Sequence, residues 1–285
     1  MSNIHLDKLI FIGGVPRSGT TLVKRLLNSH SEIYCGPEFG HLPAIMNQYN
    51  TMKKGIENGR LNEYFDLEEL QFSYQSLVLE LLKKPLLSLD KTYLAEKTPG
   101  NIRVFPHLHE LFPSAKLLHI LRNPFDVVAS FLRVGKRKDN LAEHYYDVRK
   151  GAIFWRQTVN WITRFETSKK DSFQQQYKVV KYEELLKNPE ETLKDLLYWL
   201  GVEYEASMLD LQEGKGEPNS FGNVFYTKEE YYKSFDSSNI NKFQDILTNE
   251  DELIIIEETK RELIKFKYMT KEEINAKLAF NIHAK

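Results

Sequence analysis

Leu9-Ile10-Phe11-Ile12-Gly13-Gly14-Val15-Pro16-Arg17-Ser18-Gly19-Thr20-Thr21-Leu22 is the stretch whose reading decides the fold. It begins as an apolar run suited to a strand buried on both faces of a parallel sheet. Glycines and a proline then turn the chain. Leu22-Val23-Lys24-Arg25-Leu26-Leu27 continues with its apolar residues on one helical face. Strand, glycine turn and helix form the frame of a phosphate-binding loop. Backbone N–H groups at the start of such a helix point outward and carry the positive end of its dipole.

Gly14 and Gly19 have the spacing of the nucleoside-triphosphate loop G-x-x-x-x-G-K-[ST], but Thr20 stands where its lysine belongs. In that class the lysine reaches the β- and γ-phosphates and the next hydroxyl holds Mg²⁺. Here Arg17 lies inside the turn, and Ser18, Thr20 and Thr21 supply three hydroxyls. This donor set suits the grip of one terminal phosphate. A plain glycine turn with a surface arginine accounts for less of the joint pattern.

The rest of the 285-residue chain repeats the strand-to-turn theme. Ile33 to Cys35 reads as a short strand ended by Gly36-Pro37, which places Glu38 at the carboxyl edge of a parallel sheet, where ligands of open α/β sheets bind. Residues 42–88 read as helical, with a break at Asn58-Gly59. Tyr93-Leu94-Ala95-Glu96-Lys97 is a further strand with Lys97 at its end, followed by a helix from Ile102 to Phe112. Ala115 to Leu121 reads as a buried strand closed by Arg122-Asn123-Pro124, and Phe125 to Arg133 as a helix that carries Ser130. No acid ends this strand, so the carboxylate that would hold Mg²⁺ in a nucleoside-triphosphate enzyme is missing. Leu141 to about Lys170 reads as one long helix with Phe154, Trp155, Val159, Trp161, Ile162 and Phe165 in its core face. Tyr177 to Tyr182 is another strand and Glu183-Glu184-Leu185 a turn. A helix opens at Asn188-Pro189 and ends at Gly201. Gly214 to Asn223 has the composition of a loop, and Glu250 to Met269 reads as a closing helix. The alternation predicts an α/β fold: a P-loop-type parallel sheet flanked by helices, with helical elaborations over the acceptor side. One domain spans 1–285, with 42–88 as a helical insertion and 249–285 as closing helix and tail.

Composition narrows the classes. Hydrophobic residues at 41% and charged residues at 28% are an ordinary globular balance. A net charge of -1 argues against bulk nucleic-acid binding. One cysteine, Cys35, leaves no intramolecular disulfide and no four-cysteine zinc site, which suits a reducing compartment. No apolar run reaches the ~20 residues of a membrane span, and residues 1–8 lack a signal-peptide core. The expectation is a cytoplasmic protein, in a bacterial setting.

With these motifs in order, the chain resembles the PAPS-dependent sulfotransferase family, which uses 3′-phosphoadenosine 5′-phosphosulfate (PAPS), and most of all its protein-tyrosine sulfotransferase-like branch. Gly14 to Leu22 is similar to that branch's 5′-phosphosulfate loop. Leu121-Arg122-Asn123-Pro124 through Ser130 is similar to its 3′-phosphate motif. The resemblance implies that Arg17, Ser18, Gly19, Thr20 and Thr21 hold the 5′-phosphosulfate. It assigns the 3′-phosphate to Arg122 and Ser130 and places Tyr182 near the nucleotide. Cys35-Gly36-Pro37-Glu38 matches the context of the branch's catalytic base, so Glu38 is the implied base. Lys97 and Arg17 are the implied stabilisers of the transferring group. Ser220 is implied in catalysis and cofactor binding, and Lys233 in cofactor binding, on a C-terminal loop. Val134 departs from an expected basic residue, for which Arg133 is the neighbouring substitute. Phe243 replaces a usual tryptophan. The implied product is adenosine 3′,5′-bisphosphate (PAP), and no metal is required. The expected acceptor is a hydroxyl of a small molecule, carbohydrate, lipid or peptide, and homodimerisation is left open. Two other readings stay open: a P-loop kinase of a small molecule, and a nucleotide-binding module without catalysis.

Overall fold

The computed structural model describes residues 6–84, 91–168, 170–211 and 237–282; of residues 163–172 and 280–282 only the backbone is described. Five parallel strands form one sheet in the order β2-β3-β1-β4-β5. They are β1 (Leu9–Gly14), β2 (Ile33–Cys35), β3 (Tyr93–Lys97), β4 (Lys116–Leu121) and β5 (Tyr177–Lys181). The parallel α/β architecture expected of the sequence is therefore present, and every expected strand forms.

Burial on both faces explains the unbroken apolar runs. In β1, Ile10 and Ile12 pack with Val23, Leu26 and Leu27 of α1 (Thr20–Asn28) and with Leu193 and Leu197 of a later helix. Leu9 and Phe11 point the other way, against Met46 and Tyr49 of α2 (Leu42–Glu57) and Phe105 and Leu108. Successive side chains of one strand thus feed two separate apolar layers. The registers Ile12↔Lys97, Gly14↔Ile120 and Leu121↔Lys181 put the carboxyl ends of four neighbouring strands along one edge.

The helical segments refine the sequence expectations. The 42–88 stretch holds two helices, α2 and α3 (Leu67–Leu82), and α3 starts on a reciprocal capping box between Asp66 and Glu69. The expected helix Ile102–Phe112 is instead a 3₁₀ stretch (Pro99–Arg103) followed by the short α4 (Phe105–Leu111), each with a proline in its first turn. The α5 helix (Pro124–Gly135) follows β4 as expected. The long helix α6 begins only at Val148 and runs to Ser168; Glu143–Tyr145 ahead of it is a 3₁₀ turn. Trp161 was expected in the core but is exposed. Trp155, Val159 and Ile162 share one side of the helix, and 100° per residue turns Trp161 away from it. After α7 (Lys170–Gln176) and β5, Tyr182–Lys187 forms the helix α8 rather than a turn. It precedes α9 (Pro189–Leu200), which ends at Gly201 as expected. The closing segment is a pair of helices, α10 (Asn249–Lys265) and α11 (Lys271–Ile282).

The junction of β1 and α1 depends on Gly19. Its φ is 94°, and a Cβ there would overlap the Tyr182 ring of α8. Gly59 also has a positive φ, 73°, but open space where a Cβ would stand. Gly19→Ala is therefore expected to destabilise by about 1–3 kcal/mol, and Gly59→Ala by clearly less. Equal shifts in urea melts of the two variants would mean that the ring contact contributes nothing.

A buried imidazole gives the fold a pH dependence. His119 lies in β4 with Nδ1 2.7 Å from the Tyr177 hydroxyl, and burial, with Lys265 adding to it, pushes its pKa down to about 3. The unfolded chain takes up the proton near the ordinary value of about 6.5, whereas the native state does so only near the lowered one. Stability from this group is thus present above the unfolded value and is lost as pH falls toward about 3, by up to about 1.4 kcal/mol per pH unit. His119→Asn is expected to flatten unfolding free energy against pH between about 6.5 and 4. Parallel curves for the two proteins would refute the assignment.

Candidate active site

Arg17, Glu38, Lys97, Arg122 and Tyr182 sit at or just past strand ends, where a parallel sheet gathers them, and Ser130 lies within α5. The loop after β1 turns with Ser18 N–H donating to the Val15 carbonyl (3.1 Å), and Val23 N–H returns to the Gly19 carbonyl (3.2 Å). Arg17 takes a left-handed φ of 74° beside the left-handed Gly19. Such a conformation is unfavourable for a side-chain-bearing residue and persists only where the surrounding structure holds it. The Arg17 side chain is buried, and its Nε donates to Ser130 Oγ on α5 at 3.0 Å. This bond joins the residues expected at the two ends of a nucleotide. Ser18 Oγ is fully buried and has no hydrogen-bond partner among the described residues. An orphaned buried hydroxyl at the N-terminus of α1 fits an anion held by the loop. Thr20 is buried and Thr21 half-buried in the first turn of α1.

Arg122 leaves the end of β4 and ties the neighbourhood together. Its guanidinium donates to the Arg17 carbonyl (3.1 Å) and the Asn239 carbonyl (2.8 Å) and lies 3.9 Å from Asp126 Oδ2. It sits over the Tyr182 ring, 4.4 Å from the centroid. Its Nε is buried without a partner among the described residues, a second spare donor on the same edge. Arg17, Ser130, Arg122 and Tyr182, expected together from the sequence, are thus brought together. Val134 is buried with Val15 and Trp155, so a core side chain occupies the position where a cation was expected; Arg133 is half-buried three residues beyond Ser130.

Glu38 and Lys97 also meet. The Lys97 ammonium donates to the Glu38 carboxylate; Lys97 is 3% exposed and Glu38 46%. An accessible carboxylate therefore pairs with a buried ammonium at the end of β3. Ser220 and Lys233 lie outside the described residues, as does the Gly214–Asn223 loop.

Several residues around this edge were not singled out from the sequence. Asp126 accepts backbone N–H groups of Asn241 and Phe243 at 3.0 Å each, and the Phe243 ring packs on Phe125 with centroids 5.1 Å apart. The segment around Asn241 and Phe243 is thereby fixed to the start of α5. Glu183 accepts from Asn123 N–H (2.8 Å) and the Tyr268 hydroxyl (3.1 Å). Burial pushes the Glu183 carboxyl up, and its bond from Asn123 N–H pulls the other way. Glu96, one residue before Lys97, is buried; burial raises its pKa, while hydrogen bonds from Thr98, Asn101 and Phe39 oppose the rise. An acid in the first turn of a helix, as Asp126 is, usually reads as dipole compensation. The only signal for Glu96 was a charge inside an otherwise apolar strand.

Residues 10–206, well over half of the chain, match the model of the sulfotransferase family. Among curated relatives, chicken protein-tyrosine sulfotransferase 2 is 29% identical over 215 residues, 74% of this chain and 55% of that protein. The Drosophila melanogaster protein-tyrosine sulfotransferase is 30% identical over 213 residues, 74% and 41%. The chain thus spans about half the length of such relatives. Among solved structures, the sulfotransferase domain of the Synechococcus PCC 7002 olefin synthase superposes with a TM-score of 0.61 at 22% identity, covering 92% of this chain and 95% of that one. Mouse sulfotransferase SULT7A1, complexed with PAP, superposes with a TM-score of 0.55 at 16% identity, covering 98% and 90%. A phosphate-type loop, paired Glu38 and Lys97 and the Arg122–Ser130 motif on one sheet edge agree with that match: the chain belongs to the sulfotransferase family and is similar within it to the protein-tyrosine sulfotransferases.

Proposed function

We propose that this chain transfers the sulfuryl group of PAPS to an acceptor hydroxyl, with Glu38 as general base. The observation that carries the reading is the Glu38–Lys97 pair on the same sheet edge as the anion loop. In the proposed step Glu38 takes the proton of the acceptor hydroxyl while its oxygen attacks sulfur in line. The bond from sulfur to the bridging phosphate oxygen breaks, and its electron pair stays on PAP. Lys97 and Arg17 stabilise the charge that develops on the sulfuryl and bridging oxygens. Ser18 and the N–H groups at the start of α1 hold the 5′-phosphosulfate with Thr20 and Thr21. Arg122 and Ser130 hold the 3′-phosphate, and Tyr182 borders the nucleotide. The two spare buried donors, Ser18 Oγ and Arg122 Nε, support this placement. Thr20 in place of the P-loop lysine favours sulfuryl transfer without metal over a kinase.

The names of the relatives point to protein tyrosine, a phenol, as one acceptor. A carbohydrate, lipid or secondary-metabolite hydroxyl presents the same chemistry to Glu38. The single cysteine, buried Cys35, suits a reducing, cytoplasmic setting.

The purified chain, given labelled PAPS and a panel of 2-naphthol, a tyrosyl peptide, an oligosaccharide and a sterol, is expected to label at least one acceptor, with no loss of rate in chelator. Glu38→Gln should lower turnover by about 10²–10⁴. Equal turnover in the variant removes Glu38 from the base role, and a chelator-sensitive phosphoryl transfer from ATP would favour the kinase.

Arg122→Ala is expected to weaken PAP binding about 10–100-fold, the scale of one charge-assisted hydrogen bond. Calorimetry reads this directly, and unchanged affinity would take Arg122 out of the 3′-phosphate site.

A further inference from the structure

Glu38 lies in a segment without helix or strand, between β2 and α2, and most of residues 36–40 are exposed. Such a segment does not hold a side chain in place by itself. Two of its backbone donors reach inward: Phe39 N–H to Glu96 Oε1 (3.2 Å) and Gly40 N–H to Thr98 Oγ1 (3.1 Å). Thr98 Oγ1 in turn donates to Glu96 Oε1 at 2.6 Å. Asn101 Nδ2 donates to the other carboxylate oxygen of Glu96 and to the Ile12 carbonyl (3.2 Å), at the point where β1 enters the anion loop.

We infer that Glu96 is a positioning residue for the reaction: its buried carboxylate holds the Glu38 segment against the end of β3, beside Lys97. Three donors from three places converge on a single carboxylate, and neither carboxylate oxygen lacks a donor. Glu96 sets the distance between Glu38 and Lys97 from the side opposite the reacting atoms, because it precedes Lys97 in the strand and binds the residue after Glu38. This rests on the reading of Glu38 as base. It assigns Glu96 no contact with donor or acceptor. Its effect is therefore expected on turnover and not on donor affinity.

The test uses Glu96→Gln and Thr98→Val in the full chain. The glutamine keeps the volume but sets an amide nitrogen against Asn101 Nδ2. The valine removes the acceptor of Gly40 N–H. Both should bind PAP within twofold of the wild type by calorimetry and lower turnover of PAPS with 2-naphthol, or with whichever panel acceptor the wild type labels, at least tenfold. In a Glu38→Gln background, adding Glu96→Gln should change the residual rate less than twofold, because the residue being positioned is already disabled. Hydrogen exchange at the Gly40 amide should quicken at least tenfold in Thr98→Val. A wild type that labels no acceptor overturns the proposed function. An active wild type whose variants keep more than half its turnover or lose PAP affinity in step with turnover, or whose Thr98→Val variant exchanges the Gly40 amide no faster, overturns the role of Glu96. A variant that does not fold leaves the other to decide, since each removes a different arm of the same network.

Discussion

Close packing of backbone against backbone where β1 meets the anion loop is the constraint on which the rest depends. A Cβ on Gly14 would run into the Ile120 carbonyl of β4, and a Cβ on Gly13 into the backbone of Ile102. Both neighbours can come so close because neither glycine has a side chain. One contact sets the height of the loop against β4 and hence against Arg122. The other sets it against the 3₁₀ stretch that follows Lys97. The loop is thus wedged between the two elements that supply the other half of the site, and its position there is set by main chain instead of flexible side chains.

Hydrogen bonds carry this geometry outward in two directions. Toward β4 and β5, Arg122 spans from the Arg17 carbonyl to the Asn239 carbonyl, while Trp155 Nε1 holds the Arg122 carbonyl from behind at 3.0 Å. Asp126 and Glu183 then bind backbone N–H groups of Asn241, Phe243 and Asn123, so two acids shape the surroundings of the guanidinium. Toward β3 and β2, Asn101 links the Ile12 carbonyl to Glu96, and Glu96 to the segment of Glu38. Each branch satisfies buried carboxylates with several hydrogen-bond donors, main-chain N–H groups among them, the arrangement that makes burial of a carboxylate tolerable.

What could be read from the sequence follows from this division. The strand ends were legible because an apolar run followed by Gly, Pro or Asn is a local signal, and Arg17, Glu38, Lys97, Arg122 and Tyr182 all lie within a few residues of one. The fold class was legible for the same reason. The supporting acids were not, since their partners are remote: Asp126 binds Asn241, 115 positions away, and Glu96 binds Phe39, 57 away. No period or local composition announces such pairs. The helices erred in the same manner. Propensity ran the helix of α6 back to Leu141, while Tyr145, packed on Phe131 with ring centroids 5.0 Å apart, holds a 3₁₀ turn there through tertiary contact.

The pairing of Glu38 with Lys97 also decides how the proposed base must be probed. Lys97 is the buried member, so its ammonium relies on Glu38 for a counter-charge. Replacing Glu38 by alanine would leave that buried charge without this partner, and the loss of rate would mix a missing base with a displaced lysine. Glutamine also removes the counter-charge, but it keeps an acceptor oxygen at the same reach to hold the ammonium in place while it loses the capacity to take a proton. The converse substitution is asymmetric. Lys97→Met frees a carboxylate that is half in water and can be solvated there, so it removes the electrophilic group while leaving the base intact. The two residues are one charge pair in the resting chain but have separate functions in the proposed reaction, and the difference in their burial is what allows those two functions to be told apart.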